Sequence, residues 1–590
     1  MNNDPVSKQN RSTFDTFVKN AIIIIAIGSI FAAIKCIFVG LQRDEEYALT
    51  LSYRLLNGDK LLTQVWDPHQ TSAFLLSLIE WIFIKLTGGT VYLVLWCKIV
   101  GTLIHGFIAF YLYKTLSLFA PKNISFLLGL IYFGILPKDG VIPEFSLMFA
   151  WFITLIIIVL IKIHHINTSL EAAKDTAYKS RKIIILSILL SVFSFCLMLS
   201  YPTSIIIIPL VYAFLIIDRK KNPKAVLIIY PAVILALGLT YLGYLFSYMS
   251  LSDFLYNVKE ALKACGSHDY EEISKGALML SSGIAFVVIT AIAGAVTSII
   301  AIVVKTVLKK QINFTAICLI AIILGTIAQV FLCIFGVFEY LYSYELAYYF
   351  WITALAIIIM VRNLKEDDNR ILLRFVIINI LGFVSVIALT NLTIFTSIPY
   401  CISGLVISLL AIFIYADKDS DGLRKLVIIT LLAVALSNNF FKGFSYPSND
   451  GYNWNLRNAN KIIHSGPAKG IITEYMTGYI NEKTQDDWDK HIVDGDEVLV
   501  WDITSIYYLN KDVDIASYTT ISTPTYYVDS LKKYWEKNPD KYPDVIAVAI
   551  WFGEDYRITD YDNFLEWIEN DFDADEVIQE DYYRYYIRRR

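Results

Sequence analysis

Charge is scarce in this 590-residue sequence. Asp, Glu, Lys and Arg make up 18% of it and apolar residues 56%, against about 25% and about 45–50% in an average soluble domain. That shortage excludes a soluble enzyme built of ordinary domains, and it equally excludes a disordered chain. No basic stripe runs through the sequence, so nucleic acid is excluded as a partner. Cysteine is sparse too. Of seven cysteines, six (Cys36, Cys97, Cys196, Cys318, Cys333 and Cys401) sit in apolar runs, where the thiol behaves as a small hydrophobe. Cys265 stands alone in a polar loop and no CxxC pair occurs, which leaves neither a disulfide framework nor a zinc pattern.

Long apolar runs are what the sequence has instead. They lie at about 21–41, 91–113, 123–137, 145–161, 183–199, 204–217, 226–248, 276–304, 312–336, 346–361, 371–390, 400–415 and 424–440, most of them near the roughly 20 residues a helix needs to cross a bilayer. The first run is too long for a signal-peptide core and lacks a small-residue cleavage site, so it reads as a retained span. Charge is also unevenly shared. Residues 442–590 carry 16 Lys and Arg against 28 Asp and Glu, while the preceding part carries 34 against 26. The sequence therefore divides into an apolar, mildly basic body (1–441) and an acidic, aromatic tail (442–590).

One further apolar stretch, 71–86, contains Glu80 and Lys85 and decides the topology. If it lies in the interface as an amphipathic or re-entrant helix, the loops alternate cleanly. Those on the N-terminal side then hold 24 Lys and Arg and those on the other side 7, which is the bias of cytoplasmic loops. The expectation is a polytopic α-helical membrane protein of about 13 spans, multi-pass in the cell membrane. Its N-terminus is cytoplasmic and its C-terminal α/β domain extracytoplasmic. In that tail, Glu497–Trp501, 515–518, 544–550 and 582–587 read as strands. Helical periodicity marks 527–537 and 563–570, and a helix interrupted at Gly466-Pro467 is expected over 455–479. The tail has no Gly-rich phosphate loop and no nucleophile motif, so it reads as a docking or substrate-guiding domain.

The first outer loop is the most informative segment. It opens with Arg43-Asp44-Glu45-Glu46-Tyr47-Ala48, passes through Arg54-Leu-Leu-Asn-Gly58 and reaches Trp66-Asp67-Pro68-His69-Gln70. Three consecutive carboxylates at the end of the first helix face the negative pole of its macrodipole. Such an arrangement calls for a functional explanation.

These residues carry a family resemblance. Asp44-Glu45, Tyr47, Ala48, the Leu-Leu-Asn-Gly58 step and the Asp67…His69 segment entering an apolar helix resemble the first outer loop of GT-C superfamily glycosyltransferases. Those polytopic enzymes take sugars from polyprenyl-phosphate carriers, and include the protein O-mannosyltransferases and the aminoarabinose transferases of lipid A. The pattern covers roughly residues 15–250, and the span count with an outer C-terminal domain extends it. The chain departs from the family at His69-Gln70-Thr71, where a Pro-Pro or His-Pro-Pro step is common.

The resemblance implies a base at Asp44 supported by Glu45, and a second acid in the next outer loop, Glu144 with Asp139 in reserve. It further implies contacts to the donor around Asp67 and His69, and a divalent ion held by Glu45 and Glu144 as an option; Tyr201, in the tight outer turn Tyr201-Pro202-Thr203, is a further substrate-binding candidate. Partners would be a polyprenyl-phosphate sugar, a glycan or lipid acceptor and the bilayer. The leaving phosphate needs a cation. Lys98, inside the second span, is either that partner or a snorkelling interface lysine, and Lys85 is the alternative. His105, on the face of Lys98, reads as a core histidine. The segments 249–275 and 338–345 and the Asn391-Leu-Thr393 triplet complete the outer features; belt aromatics account for most of 338–345. Two rival functions remain open: a transporter or flippase of lipid-linked sugars, and a polysaccharide polymerase or ligase using cationic outer-loop residues.

Overall fold

A computed structural model describes residues 5–67, 69–137, 140–168, 176–217, 224–266, 275–307, 309, 313–334, 348–388, 394, 397–448, 451–453, 455–502, 504–521, 528–550 and 561–589. Within a bilayer the backbone can satisfy its N–H and C=O groups only inside a helix or a closed barrel, and each apolar run forms a helix. Among the described residues nine helices are long and apolar enough to cross a membrane, and four shorter apolar ones lie at Lys122–Gly134, Pro202–Ile217, Phe314–Ile327 and Tyr348–Arg362. They correspond one for one to the thirteen expected spans.

The N-terminal elements are α1 (Pro5–Phe38), α2 (Arg43–Leu56), α3 (Ala73–Thr87), α4 (Leu93–Leu116), α5 (Lys122–Gly134) and α6 (Phe145–Thr168). Two helices, α6 and Ile402–Asp419, are buried over most of their length; apolar on every side, they form the axis of the bundle. The helix α3 is the stretch that decided the topology. At 15 residues it is about 22 Å long, short of a hydrocarbon core of roughly 30 Å, and it packs on α2 and α4.

The remainder of the chain, from Tyr446, is a mixed α/β domain. Short antiparallel pairs, β1 (Tyr446–Ser448) with β2 (Gly451–Asn453) and β3 (Ala459–Ile462) with β4 (Ile472–Glu474), lead into the helix Tyr475–His491. A five-stranded sheet follows, from β5 (Glu497–Trp501), β6 (Asp514–Ile515), β7 (Val545–Ala549), β8 (Glu576–Gln579) and β9 (Tyr583–Ile587), ordered β6-β5-β7-β9-β8. The strand β5 is parallel to β6 and β7, while β9 runs antiparallel to β7 and β8.

The expected helix over 455–479 is not present. Its place is taken by the β3–β4 pair, because the segment between them turns through Gly466 and Gly470 at φ +68° and +89°, which stops a right-handed helix. The helix Tyr475–His491 carries no apolar stripe that would announce it; it buries little beyond Trp488, Thr484 and Asp487.

Alternation along the central strands explains how this domain is held. Val498 and Val500 of β5, with Val545 and Ala547 of β7, join a core containing Leu49, Tyr53, Leu76, Ile79, Leu93 and Val94 from α2, α3 and α4. Leu499 and Trp501, with Ile546 and Val548, face the other way into a core shared with Leu61, Leu62 and Trp66. Both faces of the sheet are covered, which is why its strands read as unbroken apolar runs. The chain is thus a polytopic helical membrane protein whose C-terminal α/β domain is packed on α2, α3 and the segment between them. The expected outer segments 42–70, 140–144, 200–203 and 249–266 meet this domain or one another at one end of the bundle.

Candidate functional site

The end of α1 and the start of α2 set the site. The first helix stops at Phe38, and Gly40, at φ +80°, turns the chain so that its N–H donates to Ile472 O at 2.8 Å. A Cβ at Gly40 would stand 2.3 Å from Pro447 O, so only glycine allows this approach. Gln42 then caps a new helix through a reciprocal arrangement with Glu45. Asp44, Glu45 and Glu46 therefore occupy the first turn of α2, not the last turn of the first span. There the macrodipole favours negative charge, and the electrostatic cost expected from the sequence does not exist. What distinguishes the three carboxylates is where each goes.

Asp44 is half-buried. Glu45 is fully buried and anchored on all sides: Oε1 accepts from the amides of Val141 at 2.9 Å and Ile142 at 3.1 Å, and Oε2 lies 3.3 Å from Lys98 Nζ. The same ammonium donates to Gly40 O at 2.5 Å. Lys98 is 1% exposed, so the snorkelling alternative is excluded; its charge is matched by Glu45 inside the protein. The 141–142 strap reaches Glu45 because Gly101 of α4 has no side chain: a Cβ there would fall 1.8 Å from Val141 O. Lys85 lies elsewhere, exposed in the last turn of α3.

Glu144 is buried and receives the amides of Ser146 at 2.8 Å and Leu147 at 2.9 Å, together with the Ser146 hydroxyl. It caps α6. The next residue, Phe145, stacks flat on His69 with ring centres 3.8 Å apart. Tyr201 closes the group at 5.2 Å from His69 and 6.1 Å from Phe145, and Tyr47, one turn beyond Asp44, meets Phe145 edge-on at 6.4 Å. Asp67 accepts from Thr519 Oγ1 of the C-terminal domain at 2.8 Å. Burial pushes its carboxyl up to about 6 against the pull of the Thr519 hydroxyl, Arg54 and the Tyr47 hydroxyl. Of the residues marked in the sequence, Tyr47, His69 and Tyr201 thus gather on Phe145, the residue after Glu144, and Asp67 joins them at the Tyr47 hydroxyl. His105 is a core histidine, taking the Trp151 indole N–H on Nδ1 at 3.0 Å and stacking on Tyr132 and Phe133. Asp139, Pro68, the segments 268–272 and 338–345 and the 391–393 triplet lie outside the described residues.

Two parts of the site went unread in the sequence. Glu46 is buried near Asp502 and the Ile506 backbone of the C-terminal domain. Burial pushes it up to about 8, with Arg43 pulling down and Asp502 and Glu45 pushing further up. Asp502 in turn accepts from the Tyr583 hydroxyl and from Thr504 N–H at 3.1 Å. The second part is a buried cluster in which Arg54 binds Asp59 at 2.7 Å, while Lys541 Nζ reaches Asp59 at 3.0 Å, Asp514 at 3.2 Å and Glu497 at 3.5 Å. Neither pairing leaves a local signal, because the partners lie in the tail. Among the described residues no three His, Cys, Asp or Glu side chains gather as a metal set. Glu45 and Glu144, the carboxylates suggested for a divalent ion, are turned onto backbone amides.

The fold and this site define a polytopic membrane protein with a polar, aromatic-lined acidic centre between α2, the loop before α6 and the C-terminal domain. No family model matches the chain, and no curated protein does. Solved structures similar in shape include the Archaeoglobus fulgidus oligosaccharyltransferase in complex with zinc and sulfate, at TM-score 0.47 and 12% identity over 91% of this chain and 69% of that one. The same archaeal enzyme tethered to an acceptor peptide containing the NVT sequon gives TM-score 0.47 at 12% identity, over 91% and 69% of the two chains. In its form with an inhibitory peptide and a dolichol-phosphate, where it is called AglB, the figures are TM-score 0.44 and 11% identity over 91% and 70%.

Proposed function

We propose that the chain is a membrane glycosyltransferase of GT-C type that moves a sugar from a polyprenyl-phosphate donor to a glycan, lipid or polymer acceptor of the cell envelope. The observation that supports this reading is the anchored setting of the residues on either side of Asp44. Asp44 stands half-buried in the first turn of α2, between a neighbour locked by Lys98 and two backbone amides and a tyrosine packed on the His69–Phe145–Tyr201 group. Sugar transfer needs a base for the acceptor hydroxyl and electrostatic support for an oxocarbenium-like transition state as the carrier phosphate leaves. Asp44 is the base or acceptor-orienting carboxylate. Glu45 and Lys98 position it, and Glu144 positions Phe145. Asp67, His69 and Tyr201 contact the sugar-phosphate part of the donor, and the C-terminal domain guides the acceptor. The site faces the extracytoplasmic side, following the distribution of Lys and Arg between the loops.

The test is to incubate the purified, reconstituted chain with a polyprenyl-phosphate sugar labelled in the sugar, alongside a lipid and glycan extract of the expressing cells. Release of free polyprenyl phosphate with label appearing in the extract supports transfer. Label crossing the bilayer with the carrier bond intact would show a flippase and overturn the reading.

A further inference from the structure

The helix Leu251–Gly266 follows the Lys224–Phe246 span after only four residues, so it starts at the level where that span leaves the membrane. It is amphipathic in an unusual division. At about 100° per residue, Phe254, Val258 and Ala261 fall on one side, and they join the core built on Leu61, Leu62 and Trp66. Beside them Leu251, Leu255 and Leu262 fall within about 40° of one another and are 62%, 61% and 57% exposed. The exposed Lys259 borders this leucine stripe, and the polar side carries Asp253, which accepts from the Ser250 hydroxyl at 2.6 Å. The helix is tied from above as well: Lys537 of the C-terminal domain sits 3.6 Å from the centre of the Tyr256 ring.

We propose that the stripe of Leu251, Leu255 and Leu262 rests in the membrane interface, its leucines in the acyl region and the Lys259 ammonium at the headgroups. Three observations point to the bilayer as its occupant. The preceding span exposes Leu235, Leu239, Leu242 and Phe246 along one side, and Phe246 meets Phe254 at 5.7 Å, so the apolar surface runs continuously from the span onto the helix. A lysine beside a leucine stripe is the arrangement that lets an ammonium snorkel to lipid phosphates. The adjoining face of Phe254, Val258 and Ala261 is already covered by protein and the face opposite the stripe is polar, with Asp253 exposed, so the stripe is the apolar side left for lipid. Through Phe254 and Val258 the helix then holds the 61–66 loop, and with it Asp67, at a fixed height above the bilayer.

The test uses the full chain in phosphatidylcholine–phosphatidylglycerol vesicles, in a Cys265→Ser background, with an environment-sensitive fluorophore on Leu255→Cys, Leu262→Cys or Asp253→Cys. Labels at 255 and 262 are expected to be quenched by acyl-chain doxyl lipids and shielded from iodide, with the reverse at 253. The proposal is overturned if 255 and 262 are as open to iodide as 253. It is equally overturned if they are shielded from iodide yet untouched by doxyl lipid, which would mean that a protein partner or second copy covers the stripe. The use of two positions guards against a label that displaces the helix at one of them.

Discussion

Lys98 Nζ lies 3.3 Å from Glu45 Oε2, with both side chains buried. This pair joins the second span to the first turn of α2, and through the Val141 and Ile142 amides it draws in the segment before α6.

Breaking one side of such a pair strands a buried charge, which costs about 3–5 kcal/mol, whereas replacing both partners with apolar or neutral groups is far cheaper. Lys98→Met and Glu45→Gln should each lower the thermal midpoint of the detergent-solubilised protein strongly. The double variant should recover much of the loss, with a coupling of about 0.5–3 kcal/mol. If Lys98 acted only on the carrier phosphate, the single variant would keep its stability and the double would add nothing.

Glu46 supplies a pH prediction. Its folded pKa, about 8, lies above the ordinary carboxyl value of 4.5, so the folded protein holds a proton there that the unfolded chain releases. Stability from this group is present below about pH 4.5 and falls as pH rises towards 8. Glu46→Gln mimics the protonated form. It should raise the thermal midpoint relative to the unaltered protein at pH 8 and leave it unchanged at pH 5, by an amount on the order of 1–3 kcal/mol. Parallel melting curves of the two proteins from pH 5 to 8 would contradict the burial of this carboxyl.

Lys541 reaches three carboxylates, Asp59, Glu497 and Asp514, at the seam between the segment after α2 and the sheet domain. Lys541→Met leaves Asp59 to Arg54 and takes this cation from Glu497 and Asp514. Hydrogen exchange over residues 59–66 and at β6 should then accelerate, with a loss of roughly 3–5 kcal/mol. Unchanged exchange in both segments would mean the seam is held by its apolar contacts alone.

Glu144 caps α6, so the shorter carboxylate should serve. Glu144→Asp is expected to keep both stability and transfer, while Glu144→Ala loses about 0.5–2 kcal/mol and loses transfer in proportion. Abolished transfer in a fully stable Glu144→Asp protein would instead give this carboxylate a direct part in the chemistry.

The spans were legible because length and hydropathy are local properties, and so were β5 and β7, whose apolar stretches Val498–Trp501 and Val545–Ala549 mark strands covered on both faces, and β9, marked by its aromatic residues. The polar helix Tyr475–His491 was not, since it buries too narrow a stripe to leave a period. Near the candidate site, Asp67, His69 and Tyr201 were marked in the sequence, and the structure brings His69 and Tyr201 together on Phe145 with Asp67 at the Tyr47 hydroxyl. The same reasoning misjudged the helix to which Asp44–Glu46 belong, because the break at Gly40 depends on the approach of Pro447 and Ile472 from the far end of the chain. Glu46 facing Asp502, and Lys541 among Asp59, Glu497 and Asp514, are invisible for the same reason: their partners are brought together only by the docking of the tail.

The central claim is that Asp44 performs the transfer. Its most direct test is the rate at which Asp44→Asn protein, reconstituted at the same density as the unaltered chain, releases polyprenyl phosphate from the labelled polyprenyl-phosphate sugar in the presence of the cell extract. The account predicts a loss of at least about a hundredfold, the scale of a general base, with membrane abundance and thermal midpoint unchanged. Release at close to the unaltered rate would contradict it.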